Sequence, residues 1–187
     1  MSKKVAVIIG SSRPSRIGAN ISNWVLTKLP KSENVIYEIV DLAEWKLPLL
    51  NEPLQAKLHK YEFEYTKEWG AKIEEFDGFV FVTPEYNAGY SAVLKNAIDY
   101  LYDEWKDKPA TIVSYGWSGG ASANNQLREV LIRIGLKITD TLPKLNFSGD
   151  IFDEQAQVKD VEQAFGSHAN EIQKAGEELT VLIEDVA

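Results

Sequence analysis

The chain of 187 residues contains no cysteine. That absence excludes disulfide staples, thiolate metal sites and a thiol nucleophile together. Histidine is nearly as scarce, with only His59 and His168. They lie far apart in the chain and neither has an obvious ligand partner, so no metal site and no Ser–His–Asp relay can be argued from the linear pattern. Packing or surface roles suit both. No apolar run approaches the ~18 residues of a membrane span. The opening Met1-Ser2-Lys3-Lys4 leads directly into five apolar residues, too few for the core of a secretion signal. A cytoplasmic protein that does not enter a membrane is the expectation.

Basic residues are outnumbered, 20 Lys and Arg against 28 Asp and Glu. The formal net charge is −8, and no basic stripe exists to follow a phosphate backbone, which argues against nucleic acid as a partner. The acidity is concentrated: residues 151–187 hold nine acids against Lys159 and Lys174 alone. A solvated helix face accounts for that run. The 44% hydrophobic and 26% charged composition is that of an ordinary globular chain, long enough for one domain over residues 1–187 with a full core.

Apolar runs and helical periods alternate along the chain. Val5 to Ile9 reads as a buried strand, and Ile21, Trp24, Val25 and Leu29 then form one helical stripe. Asn34 to Val40 is a second strand. Asp41 to Pro53 reads as loop, and Leu54 to Phe76 as one helix or two pieces. Phe79 to Thr83 is a third strand, stopped by Pro84. Ser91 suits an N-cap for a helix in which Val93, Leu94, Ala97, Ile98 and Leu101 share a face. That face is core, or else a subunit contact. Pro109 to Ser114 is a fourth strand. A helix then runs to about Ile134, where Gly135 ends it. Leu136 to Thr139 is a fifth strand, and a long helix spans about Asp160 to Glu184. Alternation of this kind predicts an α/β fold: a flavodoxin-like three-layer sandwich, with a five-stranded parallel sheet in the order 2-1-3-4-5 and helices on both faces. Ligands of such sheets bind at the carboxyl ends of the strands, beside the switch point.

Three loops follow strands one, three and four and so meet at that edge. The first is Gly10-Ser11-Ser12-Arg13-Pro14-Ser15-Arg16-Ile17-Gly18. Arg13 and Arg16 supply charge, Ser11 a hydroxyl, and the N–H groups of Arg16, Ile17 and Gly18 the open donors of a helix start. The loop lacks the Gly-Lys-Ser/Thr of a P-loop and the G-x-G-x-x-G spacing of a dinucleotide site. A terminal monophosphate fits best. The second loop, Thr83 to Tyr90, offers Pro84 as a stiff strand exit, Glu85, the aromatic faces of Tyr86 and Tyr90, the mixed donors and acceptors of Asn87, and Gly89 for a tight turn. The third, Ser114-Tyr115-Gly116-Trp117-Ser118-Gly119-Gly120, lets backbone approach a ligand closely. A phosphate at one end and a planar polar ring at the other describe FMN.

At these residues the sequence resembles the NADPH-dependent FMN reductases, which include quinone and azo-compound reductases. The resemblance runs over about residues 3–140. Its most specific part is Pro-Glu-Tyr-Asn at 84–87 followed by Leu-Lys-Asn-Ala-Ile-Asp at 94–99. It implies that Ser11, Arg13, Arg16, Ile17 and Gly18 hold the FMN phosphate and that Pro84, Glu85, Tyr86 and Asn87 line the ring. Ser114 and Gly116 would lie beside its pyrimidine edge, Gly119 would belong to the same cofactor-binding set, and Tyr86 and Trp117 would shape the stacking slot. It also implies a homodimer or homotetramer. Two positions depart from the family pattern: Gly18 stands where many relatives have Asn, and Ser122 where many have Arg in Gly-Gly-x-Arg-Ala. The first removes one side-chain contact to the phosphate, and the second leaves both NADPH and NADH open as hydride donors.

With FMN bound, the expected reaction is ping-pong transfer of hydride from the nicotinamide to flavin N5 and then to a small-molecule acceptor such as a quinone or azo compound. It asks for no catalytic side chain and no metal. The alternative is an FMN-binding electron carrier or sensor without NAD(P)H activity of its own. A receiver-type signalling module is disfavoured, because Ser11 and Pro84 stand where that fold needs acids.

Overall fold

The computed structural model describes residues 2–185. The first four apolar runs form strands β1 (Lys3–Ile9), β2 (Val35–Asp41), β3 (Gly78–Pro84) and β4 (Pro109–Gly116). They are parallel and lie in the order β2-β1-β3-β4. The fifth place is shared by two short strands, so the sheet has six strands and not five. Strand β5 (Lys137–Ile138) pairs with the start of β4, and β6 (Lys144–Asn146) with its end. The break between them has a chemical cause. Pro143 has no N–H for a ladder, and its carbonyl accepts from the Ser114 N–H at 3.0 Å. Thr141 turns toward the last helix, its N–H donating to Glu178 at 2.7 Å.

The helices are α1 (Gly18–Lys28), α2 (Leu42–Trp45), α3 (Glu64–Glu74), α4 (Ala92–Asp99), α5 (Ala121–Arg133), α6 (Val161–Phe165) and α7 (Ala169–Asp185). Side chains on a strand alternate between faces, and the sheet uses both. Val5, Val7, Val80, Val82 and Val113 point into one core with Ile21 and Val25 of α1 and Ile172 and Leu179 of α7. Ala6, Ile8, Phe79, Phe81 and Ile112 point into the other, against Trp69 of α3, Leu94 and Ile98 of α4 and Leu127 of α5. Each large apolar side chain taken fully from water contributes ~1.5–3 kcal/mol. Leu94, Ile98 and Leu101 are at most 2% exposed, so this stripe is core and the subunit-contact alternative for it is overturned.

Several boundaries differ from the sequence reading. Helix α2 interrupts the expected loop at 41–53, because the Asp41 carboxylate accepts the Ala43 N–H at 3.0 Å and starts a turn. The 54–76 stretch resolves into a 3-10 turn at Ala56–Leu58 and α3. The last helix is broken by a 3-10 turn at Gly166–His168, where glycine is a poor helix former. Ser91 caps α4 as expected, accepting the Leu94 N–H at 3.3 Å, and its hydroxyl also donates to the Gly10 carbonyl. That bond ties the start of α4 to the loop after β1. Gly135 closes α5 at φ +93°.

Candidate cofactor site

The loops after β1, β3 and β4 open into one cavity of about 440 Å³. It lies at the carboxyl edge of the sheet, where the strand order reverses. Of the residues singled out from sequence, Arg13, Arg16, Ile17, Pro84, Glu85, Tyr86, Asn87, Gly116 and Trp117 line it. Ser11, Gly18, Ser114 and Gly119 do not reach its wall; they lie behind it.

At one end is the start of α1. Ile17 in the N-cap position supplies no side-chain acceptor, and the first turn holds no acid. The open N–H groups there keep their partial positive charge for an anion. Arg16 is not a free cation. Its guanidinium forks onto the Asp41 carboxylate and also donates to the Ser11 carbonyl at 2.6 Å. This bond with Asp41 raises the Arg16 pKa. Burial alone would raise that of Asp41, but the bonds from Arg16 and the Ala43 N–H outweigh it and hold the carboxyl below its ordinary range. The Arg16 N–H closes a turn onto the Arg13 carbonyl at 3.0 Å, so it is not the open donor the sequence suggested. Arg13 remains exposed, with its guanidinium 5.6 Å from the Tyr86 ring centre. Beneath the loop, Ser11 Oγ is fully buried without a hydrogen-bond partner. Gly18 is packed against it: a Cβ there would meet Ser11 Oγ and stand 2.6 Å from the Tyr115 hydroxyl. Burial pushes the Tyr115 phenol pKa up.

The second loop is held at three points. Glu85 lines the cavity, but its carboxylate accepts the Ser122 and Ala123 N–H groups at 2.9 and 3.1 Å and so caps α5 from outside. The Glu85 N–H donates to the Tyr115 carbonyl at 3.1 Å. Tyr86 and Gly89 exchange backbone hydrogen bonds at 2.8 and 3.1 Å around a two-residue turn. The residues in the left-handed region are Asn87 (φ +49°) and Ala88 (φ +62°), not Gly89 as the sequence suggested. Gln126 of α5 steadies them by donating to the Ala88 carbonyl at 2.7 Å.

In the third loop, Ser114 Oγ is used internally. It donates to the Gly119 carbonyl at 2.7 Å and accepts from Asn124 at 3.1 Å. Gly119 (φ +65°) faces β6, where a Cβ would stand 2.6 Å from Asn146 Oδ1. Trp117 is 71% exposed and stands edge-on to Phe147 and Phe152, at 5.6 and 6.0 Å between ring centres. Phe147, Phe152 and Ala156 make a wall that sequence reading missed. They follow β6, whose pairing carries the chain back to the site; the Phe147 N–H donates to the Gly116 carbonyl at 2.9 Å. Gln157 joins this segment to the first loop, donating to the Ser15 carbonyl at 3.2 Å. Ser15, Tyr115 and Ser118 also line the cavity. Tyr115 was legible in principle, since it shares the strand face of Val113.

The family model for NADPH-dependent FMN reductases matches residues 3–149. An NAD(P)H-dependent FMN reductase of Schizosaccharomyces pombe is 42% identical over 183 residues, 97% of this chain and 90% of the relative. A quinone reductase of Pseudomonas putida is 30% identical over 170 residues, 86% and 87% of the two chains. Among solved structures, a flavoenzyme NAD(P)H:(acceptor) oxidoreductase of Paracoccus denitrificans superposes with a TM-score of 0.72 at 26% identity, over 98% of both chains. A match over most of the length, on the same fold and with its loops around one cavity, makes this chain a member of the NADPH-dependent FMN reductase family.

Proposed function

We propose that this oxidoreductase holds FMN in the cavity at the carboxyl edge and passes hydride from NADPH or NADH to a quinone, azo compound or similar acceptor. The observation that carries the reading is the convergence of three loops on one cavity with an anion-ready end. The cavity volume of about 440 Å³ suits a ligand of this size. The uncapped start of α1, with exposed Arg13 beside it on the cavity wall, is a donor set that a phosphate satisfies. The opposite end is aromatic and backbone-lined, as a flat heterocycle requires.

In this reading Arg13 and the first-turn N–H groups of α1 bind the phosphate, with Arg16 shaping the loop through Asp41 and Ser11 supporting it from behind Gly18. Tyr86 and Trp117 flank the ring, while Pro84, Asn87 and Gly116 set its depth. Bound FMN supplies the hydride-accepting and electron-donating centre, so the protein contributes placement and electrostatics. No side-chain acid or base is assigned to the reaction. Phe147 and Phe152 keep water from one side of the slot.

The whole chain is read as one domain, working in the cytoplasm. The absence of cysteine favours that place, and among the described residues no helix is long and apolar enough to cross a membrane. Self-association into a homodimer or homotetramer is part of the proposal, supported by the exposed Leu49, Leu50, Leu54 and Leu58 of one segment. Purified protein incubated with FMN should turn yellow and bleach anaerobically on adding NADPH or NADH, recovering its colour with a quinone. Failure to take up FMN overturns the proposal. Bleaching only by a protein partner would make it a carrier instead.

A further inference from the structure

Glu104 is the one buried acid among the described residues, 3% exposed. A carboxylate taken from water is costly unless its charge is met. Two neutral donors reach its Oε2, the Tyr61 hydroxyl at 2.9 Å and the Tyr102 N–H at 3.1 Å. Oε1 accepts no hydrogen bond from any described residue, and its nearest cationic candidate is His59 Nδ1 at 3.4 Å. Of the two lysines close by, Lys108 donates to the Ile73 carbonyl at 3.0 Å, and Lys67, at the rim of the same recess, reaches Glu64 at 3.5 Å; neither ammonium bonds Glu104. Gly70 of α3 leaves the space that Oε1 occupies, since a Cβ there would stand 3.2 Å from it.

A second carboxylate adds to this unmet charge. Ligand atoms of His59, Glu74 and Glu104 lie within 4.8 Å of one another, around a recess of about 160 Å³. Two carboxylates facing one imidazole repel each other unless a cation stands between them. We infer that His59, Glu74 and Glu104 form a binding site for a divalent transition metal, with zinc the best match. One imidazole nitrogen and two carboxylate oxygens are a ligand set of the kind zinc takes, with a fourth position left to water. Bonds of about 2.1 Å to a tetrahedral ion place ligand atoms about 3.4 Å apart. The His59–Glu104 pair already has that separation, and the exposed Glu74 side chain closes the remainder by rotation. Tyr61 supports both partners: its hydroxyl fixes Oε2, leaving Oε1 to the metal, and its ring stands edge-on to His59 at 5.2 Å.

The three ligands come from different segments: the turn after Ala56–Leu58, the end of α3, and the loop between α4 and β4. All lie toward the amino ends of β3 and β4, the sheet edge opposite the cofactor cavity. The metal therefore braces the fold and takes no part in redox chemistry. Calorimetric titration of the full chain with zinc chloride tests this, with or without FMN present. One saturable equivalent is expected, with a Tm that rises with zinc concentration. His59→Ala and Glu74→Gln should each abolish both effects, and Tyr61→Phe should weaken binding by roughly 10-fold. Magnesium at equal concentration should do nothing, because imidazole is a poor ligand for it. Glu104 stays intact in these variants, so that folding is not the variable measured. Absence of saturable zinc binding overturns the site. Undiminished binding in both single variants overturns it as well.

Discussion

Arg13 and Arg16 stand in one loop and have different tasks. Arg16 is committed to Asp41 across to the end of β2, whereas Arg13 is exposed on the cavity wall, with its guanidinium 5.6 Å from the Tyr86 ring centre. A charge-assisted hydrogen bond is worth ~1.5–3 kcal/mol, so Arg13→Ala should weaken FMN binding by about ten-fold or more. Quenching of FMN fluorescence reads the affinity, and thermal stability should stay put; unchanged affinity would remove Arg13 from the phosphate site. The Arg16–Asp41 pair makes a different prediction, about pH. The Asp41 carboxyl is held low in the folded state. Its stabilisation is therefore present above the ordinary carboxylate pKa and is lost as pH falls through the lower folded value. Asp41→Asn should cost about 2 kcal/mol at neutral pH and progressively less below about pH 4. Urea melts across that range check it, and a pH-independent difference would contradict it. Both arginines were legible as donors. The partner of Arg16 was not, because only strand pairing brings Asp41 beside a residue 25 positions earlier.

Among the elements, Glu85 joins two that the sequence keeps apart. By accepting two N–H groups at the start of α5 it fixes the 84–87 loop against the 116–120 loop. Glu85→Ala should cost about 1–2 kcal/mol, the range for losing a helix cap. It should also slow FMN uptake and loosen its grip, while Glu85→Gln, which keeps an acceptor, should recover much of both. Equilibrium denaturation beside FMN titration separates the effects, and a Glu85→Ala protein with full stability would show that the cap contributes nothing. Periodicity found β1 to β4 and most helices because burial on one or both faces leaves a repeat in the chain. It missed β6, three residues long with Leu145 as its only buried side chain. It also missed α2, four residues started by a side-chain bond and not by an apolar stripe. Such short elements exist because neighbours hold them.

For the whole molecule, the exposed leucines at 49, 50, 54 and 58 set an expectation of self-association. Leu49, at 83% exposure, is the clearest probe. Sedimentation should give a dimer or tetramer for the native chain and a smaller species for Leu49→Asp with Leu58→Asp; a native monomer would refute the contact. The parallel α/β order, the two-faced core and the three loops at one edge were determined by sequence alone. Buried strands must be continuously apolar, helices must repeat at their own period, and a parallel sheet places its ligand loops at one end. The fourth wall of Phe147 and Phe152, the pairing of Arg16 with Asp41 and the gathering of His59, Glu74 and Glu104 were decided only in three dimensions. Each depends on residues from separate segments meeting across the fold, and such meetings leave no period, spacing or composition in the chain to read.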